Sequence, residues 1–139
     1  MRLQSKAAYR LLLALATVCG PALAHHGTNI TYDSTRVITL EGTVTELQWT
    51  NPHSILKMNV KDDKGNTVLW LGELHPPAML VKLGWTKDCL KPGDEVTVTA
   101  HPSRTGAPVM VPLTIKTADG KSFDPDRIRT ERQNQQNPQ

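Results

Sequence analysis

The sequence predicts an all-β domain, a small five-stranded barrel with one short helix between the third and fourth strands. Three observations carry this. A long first apolar alternation changes phase in its middle, four further short alternating runs are separated by turn sequences, and a helix-sized segment with Pro at its start and Gly at its end interrupts them.

The first run is "RVITLEGTVTELQW". Ile38, Leu40 and Val44 share one parity around Gly42, whereas Leu47 and Trp49 take the other, so a bulge or sharp bend is expected near Thr45 and Glu46. A long bent strand can serve both halves of a small closed barrel. After the turn "NPHS", "SILKMNV" alternates through Leu56, Met58 and Val60, and "DDKGN" reads as a hairpin connection. The third run, "TVLWLGEL", is apolar on both parities and predicts a strand covered on both faces, stopped by Pro76-Pro77.

"PPAMLVKLG" fits two helical turns, with Pro77 in the first turn, Met79, Leu80 and Leu83 on one side, and Gly84 as the stop. "KPGD" turns into "EVTVTAH", with Val96 and Val98 inward and Thr97, Thr99 and His101 outward. After "PSRTGAP", the residues Val111, Leu113 and Ile115 alternate as the inward set of the last strand. Three meandering strands, a helix and two more strands is the element order of an OB-like barrel; other small barrels and β-sandwiches share the strand count. From Asp124 to Gln139 the chain is charged, rich in Asn and Gln and without periodicity, which predicts a disordered tail.

The first 24 residues differ in kind. Arg2, Lys6 and Arg10 form a basic start, Leu11 to Val18 an apolar stretch, and Ala22-Leu23-Ala24 a small-residue cleavage pattern after Gly20-Pro21. These are the parts of a secretory signal peptide, so the expected mature protein starts at His25 in the periplasm, as one domain over 25–123. A lipoprotein reading through Cys19 conflicts with Val18, where a lipobox wants a small residue.

The whole chain has 16 Lys+Arg and 13 Asp+Glu, a net charge of +3. The three basic residues of the leader account for the excess, and the mature domain is balanced. Together with export and the lack of exposed aromatic platforms, this argues against nucleic acid as a partner, and no later segment is apolar enough to insert in a membrane. Cys89 is the one cysteine after the leader, so no internal disulfide forms and the fold must hold by packing; a lone Cys beside Leu90 reads as a small buried hydrophobe.

Several stretches together carry a resemblance: "HHG" at the mature start, "YD", "LEGTVTELQWTNPHS", "GELHPPAML", "LGWTKDCLKPGDEVTV" and "HPSRTG". From about His25 to Phe123 the chain resembles a family of small exported bacterial proteins of unknown function. The resemblance implies an exported β-domain with paired His at its start and Asn-Pro-His after the first strand, matched here by His25, His26 and Asn51-Pro52-His53. The family's usual third-strand ending is Glu followed by Ser-Pro or a similar pair. Glu73-Leu74-His75-Pro76 departs from it, so a role for His75 would be particular to this chain.

Two sets of candidate residues follow. In an antiparallel meander the first and third strands end at the same side, so Trp49, Asn51, His53, Glu73 and His75 form a candidate ligand-binding surface, for a small molecule or a periplasmic protein, with Trp49 also a core candidate and the Asn-Pro turn explicable on structural grounds alone. His101, on a fourth strand running the opposite way, is expected at the far end. The second set is metal-ligating. A mature N-terminus at His25 would pair its α-amine, which titrates near 7.7–8.0, with its own imidazole. Cu(II) takes such nitrogen donors in tetragonal geometry. His26 offers a second mode through the intervening amide nitrogen, and His53 a further imidazole, making copper the cofactor of this reading. Ten residues from His25 to Ser34 span at most about 33 Å, which reaches either end of the barrel. The bland alternative is a solvated terminus.

No nucleophile elbow, zinc-protease helix or phosphate loop occurs in the sequence, and nothing selects a carboxylate pair among Asp33, Glu41, Glu46 and Glu73. The expected role is therefore non-catalytic: a binding or accessory barrel, with a Cu(II) carrier or sensor as the alternative and a copper-dependent oxidase as a distant third.

Overall fold

The computed structural model describes residues 31–125 and residue 127. The expected leader, His25, His26 and nearly all of the expected tail lie outside the described residues. Six strands form one sheet: β1 (Ile38–Gln48), β2 (Ile55–Lys61), β3 (Thr67–Glu73), β4 (Glu95–Pro102), β5 (Val109–Thr117) and β6 (Ser122–Phe123), with helix α1 (Pro77–Lys82) between β3 and β4. Their order is β3-β2-β1-β4-β5-β6, and a β3–β5 pairing closes the first five into a barrel.

β1 belongs to both halves, as its sequence requires. Ile38 to Thr43 pair with β4, and Gly42 to Gln48 pair with β2. The register slips between Val44 and Glu46, at the predicted change of phase. The extra residue lets one strand bend from one half of the barrel into the other. At the corner, Gly42 is irreplaceable on steric grounds: a Cβ there would overlap the Asn59 carbonyl oxygen and lie 2.7 Å from Met58 Cε.

The interior is filled by Val44, Leu56, Met58, Val96, Val98, Met110 and Ile115, with Leu80, Trp85 and Leu90 closing over it from α1 and the loop that follows. Trp85 meets Phe123 edge to face, with ring centroids 5.1 Å apart. Trp49, Trp70 and Cys89 pack against this core partly buried, and burial pushes the Cys89 thiol up from its ordinary value. Among the described residues no helix is long and apolar enough to cross a membrane.

Two expectations about the strands are corrected. β3 is not covered on both faces: Leu69 is 47% exposed, because a barrel has one interior and the outer face of β3 has no layer above it. In β5 the inward set is Met110, Pro112 and Ile115, while Val111 and Leu113 are half-buried. The cause is a second bulge. Thr99 pairs with Thr114 and Ala100 with Pro112, leaving Leu113 as the extra residue that switches the parity. β6 was not anticipated; its two residues pair with Ile115 and Lys116.

Gly42→Ala is expected to destabilise the domain by about 1–3 kcal/mol, since the backbone carbonyl it would strike cannot rotate away. Urea unfolding followed by Trp fluorescence measures this; an unchanged midpoint would show that the β1–β2 corner is looser than described.

Candidate functional site

The end of β3 is built by two short segments that run beside each other. Ser54 N–H donates to the His75 carbonyl (3.3 Å) and Leu74 N–H donates to the Ser54 carbonyl (2.8 Å), which sets the residues after the Asn51-Pro52 turn against the residues after β3. That peptide bond is cis. Ile55 is the register partner of Glu73, so His53 comes up next to Glu73 on the outer side, while Ser54 turns inward and is fully buried.

His53 Nδ1 pairs directly with Glu73 Oε1. The second oxygen, Oε2, accepts a hydrogen bond of 2.9 Å from the Tyr32 hydroxyl, 41 residues away in sequence. One carboxylate thus bridges a buried phenol and a surface imidazole; Tyr32 is 7% exposed, whereas the side chains of Glu73 and His53 are 24% and 41% exposed. An ionised carboxylate only accepts hydrogen bonds, so the proton of this pair lies on Nδ1 and the lone pair of a neutral His53 lies on Nε2.

Tyr32 is held by the segment before β1. Asp33 N–H donates to the Pro102 carbonyl (2.9 Å) and Arg104 N–H donates to the Thr31 carbonyl (3.0 Å), with Tyr32 bridged to Ser103. Asp33 then turns the chain: its Oδ1 accepts from the Thr35 hydroxyl (2.7 Å) and the Thr35 N–H (3.1 Å), and these bonds lower its pKa. The Tyr32 phenol is pushed far above its ordinary value, first by burial and then by the hydrogen bond and the charge of Glu73.

Of the residues singled out in the sequence, His53 and Glu73 come together. His75 is half-buried and reaches the site through its backbone pairing with Ser54. Asn51 is exposed on the turn, and its carbonyl accepts a long bond from the Thr50 hydroxyl (3.4 Å). Trp49 shares the parity of Leu47 and packs, partly buried, against the core. His25 and His26 lie outside the described residues. Among the described residues no three His, Cys, Asp or Glu side chains converge to hold a metal ion.

Tyr32 is the member that sequence reasoning missed. It sits in a polar, turn-prone stretch with no alternation to assign it a face; the one available signal was its place in the "YD" pair. The expected position of His101 is also corrected. β4 does run opposite to β3, but the barrel is staggered: β5 overlaps β3 only at Leu71↔Val109 and Gly72↔Met110, and Met110 in turn pairs with Pro102. The end of β4 is therefore level with the end of β3, two strands away. His101 stays outside the network, donating from Nδ1 to the Arg36 carbonyl at 2.7 Å.

Tyr9 and Tyr32 are the two tyrosines of the chain, so protein prepared from His25 onward reports Tyr32 alone. Because the folded phenol titrates above the unfolded one, its contribution to stability is complete below pH 10 and is lost as pH rises further. Phenolate absorbance is therefore expected to appear together with alkaline unfolding and not as a separate step near pH 10, and Glu73→Gln should move it to lower pH. A reversible phenolate step near pH 10 in folded protein would contradict the buried Tyr32–Glu73 bond.

Comparison with known proteins adds the family and little else. No curated protein and no solved structure matches the chain. The family model described as "Family of unknown function (DUF6152)" matches residues 13–110, most of the described barrel included. The chain belongs to this family of unknown function.

Proposed function

We propose that the protein is an exported, non-catalytic binding or accessory barrel, and that its binding surface is the end of β3, where His53 and Glu73 meet and His75 follows two residues on. One observation carries the reading: Glu73 spends both oxygens on holding His53 and Tyr32, so the imidazole is fixed in place on a side chain that is 41% exposed. A surface His that served only to satisfy a turn would not need a buried phenol behind its carboxylate. Balanced mature charge and the leader support a periplasmic small molecule or protein as partner, with no role for nucleic acid.

The test uses metal-free exported protein with a chelator present. Imidazole resonances are followed by NMR while the small-molecule and protein fractions of a periplasmic extract are added in turn. Shifts of His53 and His75 by one fraction, absent when the same fraction meets His53→Ala, are expected. Perturbation confined to other residues would move the binding surface elsewhere.

A second reading, a periplasmic Cu(II) carrier or sensor using His25, His26 and His53, is favoured by the place of Tyr32 in the chain. Tyr32 is bonded to the carboxylate that holds His53, so the chain leading to the barrel passes through this site. From Tyr32 back to His25 is seven residues, a reach of up to about 25 Å. Protein exported from its own signal should have the intact mass of a chain beginning at His25 and bind one Cu(II) with a nitrogen-rich electron paramagnetic resonance spectrum. A start elsewhere, or binding no tighter than that of a variant with His25 and His26 replaced by Ala, would return those histidines to a solvated terminus.

A further inference from the structure

We infer that the first half of β3 is an edge on which a second copy of this chain pairs, Thr67 to Leu69 of one copy running antiparallel to Thr67 to Leu69 of the other about a two-fold axis at Val68. The contact is separate from the His53 and Glu73 site, which lies at the opposite end of the strand.

Successive residues of a strand in an antiparallel ladder turn their backbone N–H and C=O groups to opposite neighbours. Asp62 N–H donates to the Asn66 carbonyl and Leu74 N–H donates to the Ser54 carbonyl, so the even-numbered residues of this stretch face β2. Leu71 N–H donates to the Pro108 carbonyl, so the odd-numbered residues face the other edge. On that edge β5 pairs with Leu71 and Gly72 and reaches no further back along β3. Thr67 and Leu69 therefore present N–H and C=O groups that no strand takes up among the described residues.

An open apolar edge is a template for another strand, and proteins block it with a charge, a Pro, a bulge or a very short strand. β6, at the other end of the sheet, is guarded in this way: it is two residues long, and Asp124-Pro125 follows it. The start of β3 has no such device. Its register with β2 is unbroken, Thr67, Val68 and Leu69 carry no charge, and Leu69 is exposed. The edge also matches itself. With the axis at Val68, each Thr67 lies opposite Leu69 of the second copy, and each such pair exchanges both of its N–H···O bonds. The outward row then runs from Thr43, Asn59 and Leu69 of one copy into Thr67 and Lys61 of the other, so each Leu69 gains a neighbour and no like charges meet. Lys61 stays on its own copy, donating to the Thr67 hydroxyl at 2.7 Å. This self-match selects a second copy over an unrelated strand.

A stable interface takes about 20–30 residues from each partner, so a contact centred on so short an edge gives a weak dimer that forms at high concentration. Sedimentation of exported protein over a concentration series reaching about 1 mM, the weak end of specific association, should show a monomer–dimer equilibrium. Hydrogen exchange at low and high concentration should show the Thr67 and Leu69 amides gaining protection on association, while Val68 and Trp70, bonded to β2, are protected throughout. Leu69→Lys puts a charge on the edge, and Thr67→Pro removes an N–H that β2 does not use. Each change enters the contact twice, so both variants are expected to stay monomeric over the same range. Urea unfolding checks that they are folded, and Leu69→Lys, an outward substitution on an exposed position, keeps the test where Thr67→Pro does not fold. A monomer at every concentration would overturn the inference. So would a dimer in which Thr67 and Leu69 exchange as fast as in the monomer, or one that Leu69→Lys leaves intact.

Discussion

The parallel pairs Leu71↔Val109 and Gly72↔Met110 turn an open sheet into a barrel, and the placement of the site follows from that seam. Two pairs are a short closure, and it depends on a glycine: a Cβ on Gly72 would lie 2.8 Å from Pro112 Cγ. Pro112 is itself fully buried inside β5, where it faces the interior, and Leu71 N–H finds its partner in the Pro108 carbonyl at 3.0 Å. The seam thus brings β5 close at the last residues of β3, and the next residue in the chain is Glu73. A looser closure would leave Glu73 at a fraying strand end, with nothing to keep its carboxylate within reach of Tyr32.

Much of this fold could be read from the sequence because barrel strands write their faces as alternation. The phase change between Val44 and Leu47 announced the β1 bulge, the Pro-to-Gly bracket announced α1, and Val96 and Val98 pointed inward as their parity required. The second bulge was illegible for a definite reason. Val111, Leu113 and Ile115 keep an unbroken apolar alternation, and Pro112 between them looks like an outward or edge residue, yet the pairing of Ala100 with Pro112 turns that proline inward. Alternation shows faces only while the register is continuous, and a bulge under apolar residues on both parities leaves no trace.

The candidate site divides along the same line. His53 and Glu73 were predictable neighbours, because a meander places the start of β2 beside the end of β3 and one register pair, Ile55↔Glu73, fixes the distance. Tyr32 was not predictable, since it joins the site from outside the meander through an isolated bridge to Ser103. His101 was misplaced by an argument about direction alone. Strand direction gives the sense of travel, but the height at which a strand ends in a barrel is set by stagger, and stagger is not written in periodicity.

Glu73 is where fold and candidate chemistry become one question. Its two oxygens face opposite demands: Oε2 satisfies a phenol that burial would otherwise leave without a partner, and Oε1 organises an imidazole at the surface. A hydrogen bond to a charged group contributes about 1.5–3 kcal/mol, so the Tyr32 bond helps to hold the segment before β1 against the end of β3. A domain that needed only that anchor could satisfy Tyr32 with any backbone carbonyl, at less cost than keeping a carboxylate partly out of water. What the carboxylate adds is a definite tautomer and a fixed ring on His53. Both are of use to a partner that approaches Nε2, and neither is needed to keep the barrel closed.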